Sequence, residues 1–201
     1  MIVVHHMPRS RSWRILWLCA EADLACEARA FSYPPSADYL SLNPFGTIPL
    51  VEVDGLRLVD SAASLIYLAQ TRKLHDLLPE PGAPGYGEVL DWTVIGETLI
   101  GMQGNVQAAA TFFAPDGEKD NWSVRFSRER VLRGFAAVAA RLGDSAFLLG
   151  DRFTLADISV GYITGVARGV LGLEPDLPSH VLAWHDRLLA RPAYAKVRGD
   201  D

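Results

Sequence analysis

Apolar and polar residues in the first third of the chain follow patterns that predict alternating strands and helices. Residues 2–6 form a short, mostly apolar run that predicts a strand, and residues 13–22 are apolar enough to predict a buried helix. A weaker strand is predicted over residues 28–33, because Pro34 and Pro35 break the pattern there. The order strand, helix, strand is typical of a parallel crossover unit.

A predicted hairpin follows this unit. Residues 50–53 and 56–59 are rich in β-prone side chains, and the Asp54-Gly55 pair between them is a strong signal for a tight two-residue turn. Pro49 precedes the first run, where a residue without a backbone N–H is tolerated at a strand start or in a cis turn. A parallel crossover followed by an antiparallel hairpin predicts a mixed sheet flanked by helices.

The residues after the hairpin predict a helix whose start can bind an anion. Asp60-Ser61 offers an N-cap immediately before the apolar segment 62–69. The first turn of a helix presents unpaired backbone N–H groups and a partial positive charge. Such a helix start suits a carboxylate ligand.

The pattern changes in the second half of the chain, where it predicts helices and no strand. A linker rich in Pro and Gly covers residues 78–85, and long helices are predicted over residues 86–113 and 122–142. Thr154 and Asp157 have the spacing of a capping box, which predicts the start of another helix. We therefore expect a second, all-helical domain.

Composition and charge narrow the class of protein. The 201 residues are 49% hydrophobic and carry a net charge of −5, which predicts a globular protein without the basic surface that nucleic acid requires. No run of 18 apolar residues occurs and the N-terminus lacks a secretory pattern, so we expect no membrane span and a cytoplasmic location. Cys19 and Cys26 form no metal motif, and Cys19 is expected to be a buried small hydrophobe.

The order of these motifs resembles that of the cytosolic glutathione S-transferases. The likeness is concentrated in residues 43–69, which hold the turn, the Ile48-Pro49 pair, the hairpin and the acidic-Ser helix start. The capping box of Thr154 and Asp157 also matches the start of a central helix in that family. The resemblance therefore covers nearly the whole chain.

The resemblance implies a fold of two domains, α/β followed by all-α. A thioredoxin-like, glutathione-binding domain is expected over residues 1–74, a linker over 75–85 and a helical-bundle domain over 86–201. It also implies a homodimer that uses glutathione as a co-substrate and needs no separate cofactor or metal.

The resemblance further implies how glutathione is bound. Ile48 precedes the family's cis proline, which falls at Pro49, and its backbone pairs with the cysteinyl unit, next to Thr47. Asp60 and Ser61 are expected at the γ-glutamyl end, with Ser61 and the helix N-terminus binding the carboxylate. The family usually has Glu or Gln at this position. The side chain of Asp60 is shorter, so its contact with glutathione would differ in length from the usual one.

A hydroxyl in the loop before the first helix is expected to activate the thiol. The glutathione thiolate is the nucleophile, and a hydroxyl donor at the positive end of a helix stabilises it. The comparison puts the activating residue at Arg9 or Ser10, and we predict Ser10, with Ser12 as the alternative. The structural role of Ser12 would be to cap the helix. His6 lies near the position of the family's catalytic Tyr and is a further, less favoured choice.

The sequence predicts a glutathione transferase that attacks a hydrophobic electrophile. A glutathione-dependent isomerase, an ether-cleaving enzyme and a non-catalytic binding or regulatory protein remain alternatives, and Arg11 stands where maleylacetoacetate isomerases have Cys. The side chains predicted to contact the electrophile have helix packing or dimer contacts as their alternative role. They are Met7, Pro8, Trp92, Ile95, Gly96, Leu99, Met102 and Phe113.

Overall fold

The computed structural model describes residues 1–198, which form two compact units. The first unit contains residues 1–75 and a C-terminal segment that begins at Ala190, and the second contains residues 76–189. In chain order the elements are β1 (Ile2–His6), α1 (Ser12–Glu21), β2 (Cys26–Ala30), α2 (Ala37–Leu42), β3 (Leu50–Val53), β4 (Leu56–Leu58), α3 (Ser61–Thr71), α4 (Tyr86–Ile95), a π-helical segment (Gly96–Gly101), α5 (Met102–Phe113), α6 (Trp122–Leu142), α7 (Leu155–Gly169), α8 (Ser179–Leu189) and α9 (Pro192–Arg198). None of the helices in this described range is long and apolar enough to cross a membrane.

The four-stranded sheet of the first unit has the predicted mixed topology. Its strand order is β2-β1-β3-β4, with β1 parallel to β2 and β3 antiparallel to both β1 and β4. Asp54 and Gly55 have positive φ angles of 52° and 78°, as a two-residue Asp-Gly turn requires. The predicted fold class, a thioredoxin-like unit and an all-helical unit, is confirmed.

Two elements of the first unit differ from the sequence-based expectations. Strand β2 covers Cys26–Ala30 instead of residues 28–33, because its parallel pairing with all five residues of β1 sets its limits. The sequence does not predict α2, since this six-residue helix has no apolar stripe and buries only Tyr39. Its start is fixed by Ser36, whose hydroxyl accepts a hydrogen bond from the Tyr39 N–H at 3.2 Å.

Helix α9 belongs to the first unit, whereas the predicted boundaries place it in the helical domain. The ring of Tyr194 packs against Trp13 and Trp17 of α1, with centroid distances of 4.7 and 5.0 Å. Arg191 donates to both carboxylate oxygens of Glu21 at 2.7 Å. A boundary read from local pattern cannot include contacts between residues 170 positions apart.

The predicted helix over residues 86–113 is present, but its middle is π-helical. Between α4 and α5 the segment Gly96–Gly101 has the wider π-helical turn. Gly96 faces α7, where an added Cβ would come within 2.5 Å of Ser159 Oγ. The Ser159 hydroxyl donates to the Thr93 carbonyl at 2.6 Å, so the two helices are in close contact at this point. Helix packing therefore explains Gly96.

Helix α7 is buried along most of its length and begins with the predicted capping box. One oxygen of Asp157 accepts the Thr154 N–H at 2.9 Å. The other accepts the Leu148 N–H at 2.8 Å and the Trp184 Nε1–H at 3.1 Å. The box therefore fixes the preceding loop and α8 to the start of α7, in addition to capping that helix.

Candidate functional site

Three side chains where β1 ends and α1 begins form a hydrogen-bonded chain. The hydroxyl oxygens of Ser10 and Ser12 are 2.6 Å apart, and Ser12 Oγ is 2.8 Å from Nδ1 of His6. His6 ends β1, and Ser12 is the first residue of α1. Ser12 is fully buried, Ser10 is 7% exposed and His6 is half-buried. The two predicted catalytic hydroxyls therefore lie together, and His6 is joined to them.

The hydroxyl of Ser12 does not cap α1, so that part of the expectation is wrong. The N-cap is Arg11, whose side chain makes no capping bond. The Trp13 N–H instead donates to the Ser10 carbonyl at 3.1 Å, so a loop carbonyl meets this donor of the first turn. Arg9 has a positive φ of 61° in this loop and offers no hydroxyl, which favours Ser10 over Arg9 as the candidate thiol activator, with Ser12 still the alternative.

The start of α3 has the predicted acidic-Ser pair. Asp60 is the N-cap, and its Oδ1 accepts the Ala63 N–H at 2.7 Å. Ser61 is 1% exposed, and its Oγ accepts a hydrogen bond from Nη1 of Arg14 at 2.8 Å. The Ser61 hydroxyl is therefore fixed by a cation from α1, while Asp60 supports the helix turn.

Arg14 is a candidate functional residue that sequence reasoning missed. It is fully buried on α1, between Trp13 and Ile15, and its bond to Ser61 joins the starts of α1 and α3. The signal was present in the sequence, since a charged side chain in an otherwise apolar helix is rarely buried without a polar partner. Its positive charge makes the start of α3 more attractive to an anion.

The segment before β3 is fixed by side chains that lie beneath it. The Thr47 carbonyl accepts from the Tyr39 hydroxyl at 2.6 Å and from Nδ2 of Asn43 at 2.7 Å. The Ile48–Pro49 peptide is cis, as the resemblance implies. Ile48 is half-buried and Thr47 is exposed, so this segment lies partly at the surface.

The predicted electrophile-binding residues fall into three groups. Gly96 is buried against α7, so helix packing accounts for it. The other residues of α4 to α5 keep surface that a ligand could contact, and their assignment stays a prediction. Trp92 and Ile95 are half-buried, Leu99, Met102 and Phe113 are exposed, and in the first unit Met7 is half-buried and Pro8 exposed.

The two cysteines form a hydrogen-bonded pair in the first unit. Cys19 is buried on α1 as expected, and Cys26 is half-buried at the start of β2. The hydrogen bond from Cys19 lowers the pKa of Cys26 to about 7, and the same bond together with burial raises the pKa of Cys19. Cys26 is therefore the thiol of this pair whose pKa is lowered. Within residues 1–198 no group of three or more His, Cys, Asp or Glu side chains is placed to bind a metal.

Two family profiles match the chain, one in each unit. The profile described as "Glutathione S-transferase, N-terminal domain" matches residues 1–70, and "Glutathione S-transferase, C-terminal domain" matches residues 107–187. Glutathione S-transferase F13 of Arabidopsis thaliana is 30% identical over 165 residues, which cover 79% of this chain and 75% of that protein. A maleylacetoacetate isomerase of Rhizobium meliloti is 32% identical over 161 residues, which cover 74% of this chain and 73% of that protein.

Solved structures with the same fold contain glutathione. A glutathione transferase from Burkholderia graminis, with two glutathione molecules bound per subunit, superimposes with a TM-score of 0.84 at 23% identity, covering 98% of this chain and 86% of that chain. One from Phanerochaete chrysosporium in complex with oxidized glutathione has a TM-score of 0.84 at 25% identity, covering 99% and 95%.

Proposed function

The chain belongs to the glutathione S-transferase family, and we propose how this member binds glutathione and activates its thiol. It is a glutathione transferase, which joins the glutathione sulfur to a hydrophobic electrophile. Ser61 and the N-terminus of α3 bind the γ-glutamyl carboxylate, and the second oxygen of Asp60 accepts from the γ-glutamyl ammonium. The backbone of Ile48, between Thr47 and the cis Pro49, pairs with the cysteinyl unit.

The observation that carries the glutathione site is the buried Arg14–Ser61 hydrogen bond at the start of α3. Because Arg14 is the donor, the Ser61 oxygen accepts this bond and its own O–H can donate to a ligand oxygen. The guanidinium charge and the positive end of α3 act in the same direction on an anion. A carboxylate placed there receives a charge-assisted contact in a buried setting, where such contacts are strong.

Ser10 activates the thiol by donating a hydrogen bond to the sulfur as it loses its proton. A free thiol has a pKa of about 8.5, and lowering it by two units requires about 2.7 kcal/mol of preference for the thiolate. A hydrogen bond to a charged group contributes about 1.5–3 kcal/mol, and a helix N-terminus adds about 0.3–1 kcal/mol. The two contributions together span the required value, so one hydroxyl beside the start of α1 can supply a shift of this size.

The same proposal covers the second substrate, the assembly and the location. Glutathione acts as a co-substrate without a further cofactor, and the protein works in the cytoplasm as a homodimer. Exposed aromatic side chains of the second unit, among them Phe112 and Trp122, support burial against a second copy. The hydrophobic electrophile contacts apolar side chains of the second unit, namely Trp92, Ile95, Leu99, Met102 and Phe113.

The isomerase relative favours a second candidate function, a glutathione-dependent isomerisation. Both reactions begin with attack of the bound thiolate on an electrophilic carbon. They differ in the fate of glutathione, which leaves with the product of a transferase and is released unchanged by an isomerase. Following free thiol during turnover of 1-chloro-2,4-dinitrobenzene and of a cis-enedione such as maleylacetone separates the two.

Calorimetric titration tests the glutathione site directly. The ligands are glutathione, S-hexylglutathione and glutathione sulfonate, and the variant is Ser61→Ala. Since a charge-assisted hydrogen bond is lost, we expect the Kd for all three ligands to rise about 10-fold to 100-fold. An unchanged Kd would show that Ser61 does not bind the carboxylate. Binding of none of the three by the unmodified protein would refute the proposed function.

Ser64 provides the matched control on the same helix. Its buried hydroxyl donates to the Asp60 carbonyl at 2.7 Å, so Ser64→Ala also removes one hydroxyl near the start of α3. This bond is internal to the helix, and we expect the Kd of Ser64→Ala to stay within about 2-fold of the unmodified protein, well below the effect of a lost ligand contact. A rise equal to that of Ser61→Ala would mean that disturbance of α3 explains both.

A further inference from the structure

We propose that His6 is the proton acceptor for the glutathione thiol, reached through the hydroxyls of Ser10 and Ser12. This inference rests on the proposed function, because it needs the glutathione sulfur at Ser10. It adds a third side chain to the site and assigns Ser12 the role of a connector between the other two.

The distances fit a continuous path for a proton. Ser10 Oγ and Ser12 Oγ are 2.6 Å apart, and Ser12 Oγ is 2.8 Å from Nδ1 of His6. Both are within the normal range for hydrogen bonds in proteins. Each hydroxyl can accept one bond while donating another, so the direction of the whole chain can reverse.

The transfer is balanced at every atom. Before it, the thiol donates to Ser10, Ser10 donates to Ser12, and Ser12 donates to the lone pair on Nδ1 of His6. The thiol proton then passes to Ser10, the Ser10 proton to Ser12, and the Ser12 proton to Nδ1. The products are a thiolate and an imidazolium, with both hydroxyls intact. Ser10 now donates to the sulfur, which is the arrangement that stabilises the nucleophile.

Burial separates the path from water and leaves its far end accessible. Ser12 is fully buried and Ser10 is 7% exposed, so the intermediate groups have little contact with solvent. His6 is half-buried, and it can therefore pass the proton to water after the thiolate has reacted. A relay with buried middle members and a partly open last member suits repeated proton release.

The positive end of α1 lies beside His6. Ser12 Oγ, at the first residue of α1, is 2.8 Å from Nδ1 of His6, and the positive end of a helix disfavours an imidazolium. The charged residues of the adjoining loop and of the first turn of α1 are Arg9, Arg11 and Arg14. Strand β2 places the uncharged Ala30 opposite His6. The negative charge of a thiolate offsets this repulsion, so that the two ionisations are coupled.

The single carboxylate of β3, that of Glu52, is hydrogen-bonded to His5. Glu52 lies 3.0 Å from Nε2 of His5, and the ring of His5 also contacts Tyr39. Successive residues of a strand point to opposite faces, so His5 has no place in the serine chain. His5 is therefore a matched control for the loss of an imidazole from β1.

The test compares His6→Asn with the unmodified protein. Asn places an amide nitrogen or oxygen close to the position of Nδ1, so Ser12 keeps a hydrogen-bond partner that cannot take up the proton. The measurements are the Kd for S-hexylglutathione, the ultraviolet absorbance of the bound thiolate against pH, and kcat/KM with 1-chloro-2,4-dinitrobenzene from pH 6 to 9.

We expect His6→Asn to bind S-hexylglutathione within about 2-fold of normal and to form the thiolate at a pH about one unit higher. A shift of one unit corresponds to about a 10-fold loss of kcat/KM at pH 6.5 and a smaller loss at pH 9. Ser12→Ala interrupts the path from its middle and should shift the profile in the same direction. In the double variant the two shifts should not add. His5→Gln should leave the profile unchanged.

The outcomes separate failure of the relay from failure of the site. Normal binding and an unchanged pH profile in His6→Asn would overturn the relay and leave the proposed function intact. A shifted profile in His6→Asn with an unshifted one in Ser12→Ala would also overturn it, since the path would not pass through Ser12. No binding of S-hexylglutathione by the unmodified protein would overturn both.

Discussion

Removal of the Asp157 carboxylate should destabilise the second unit more than most single substitutions do. The side chain is fully buried, and it accepts hydrogen bonds from the backbone N–H groups of Thr154 and Leu148 and from the indole of Trp184. The Thr154 hydroxyl also lies 3.2 Å from it. In Asp157→Ala these donors lose their acceptor, while the surrounding chain still excludes water.

The size of the destabilisation can be estimated from the buried donors that lose their acceptor. A buried donor without a partner costs about 1–3 kcal/mol, and two fully buried donors, Leu148 N–H and Trp184 Nε1–H, are left. Loss of the capping contacts at Thr154 adds about 1 kcal/mol. The burial that raises the pKa of Asp157 means that the carboxylate itself was costly to bury, which offsets part of the sum. We expect the free energy of unfolding to fall by roughly 3–5 kcal/mol.

Urea unfolding followed by tryptophan fluorescence and by far-ultraviolet circular dichroism measures this loss. Asp157→Asn should lose about half as much, because its amide oxygen can still accept from Leu148 and Trp184. Asp144→Ala removes an exposed carboxylate from the loop after α6 and should change stability by less than about 0.5 kcal/mol. A loss below about 1 kcal/mol in Asp157→Ala would refute the reasoning, since single exposed caps reach that value.

Two further predictions concern helix packing and pH. Gly96→Ala should destabilise by about 1–3 kcal/mol through overlap with Ser159, whereas Gly87→Ala on α4, where an added Cβ meets nothing within 4 Å, should stabilise by about 0.5–1 kcal/mol. Equal effects of the two in thermal unfolding would contradict the packing argument. Burial and the nearby charge of Arg168 lower the pKa of His185 from 6.5 to about 4. The unfolded state therefore takes up this proton first, and the free energy of unfolding should fall by about 3 kcal/mol between pH 6.5 and 4. His185→Gln should remove this part of the acid sensitivity in urea titrations, and an unchanged slope would contradict the assignment.

The parts of the fold that the sequence predicts are those with short-range causes. The Asp54-Gly55 turn needs two adjacent residues that accept positive φ, and the box of Thr154 and Asp157 needs two residues three positions apart. Such signals act within one turn of backbone, so they can be recognised in the amino-acid sequence alone. The mixed sheet follows from the predicted crossover and hairpin, because these two units leave few topologies open.

The parts that the sequence does not predict depend on contacts between distant residues. The Arg14–Ser61 bond joins positions 47 apart, and no local pattern relates them. Ser12 lies at the candidate site as predicted. The prediction that its hydroxyl caps α1 was wrong, because loop carbonyls already accept hydrogen bonds from the N–H groups of the first turn. The bond of Ser12 to His6 needs the loop conformation as well as the sequence. A candidate site could thus be located from motifs, while its hydrogen bonds needed the tertiary structure.

The pairing of α9 with α1 has a consequence for the order of events at the ribosome. Residues 76–189 are continuous in the chain, so the helical unit has all its parts once they have left the exit tunnel. The first unit, by contrast, needs Tyr194 to cover Trp13 and Trp17, and Tyr194 is made only after the whole of the helical unit. Domains usually complete their folding in the order of synthesis, from the N-terminus onwards. Here the unit that carries the candidate site can be completed only after residues 76–189 have been made.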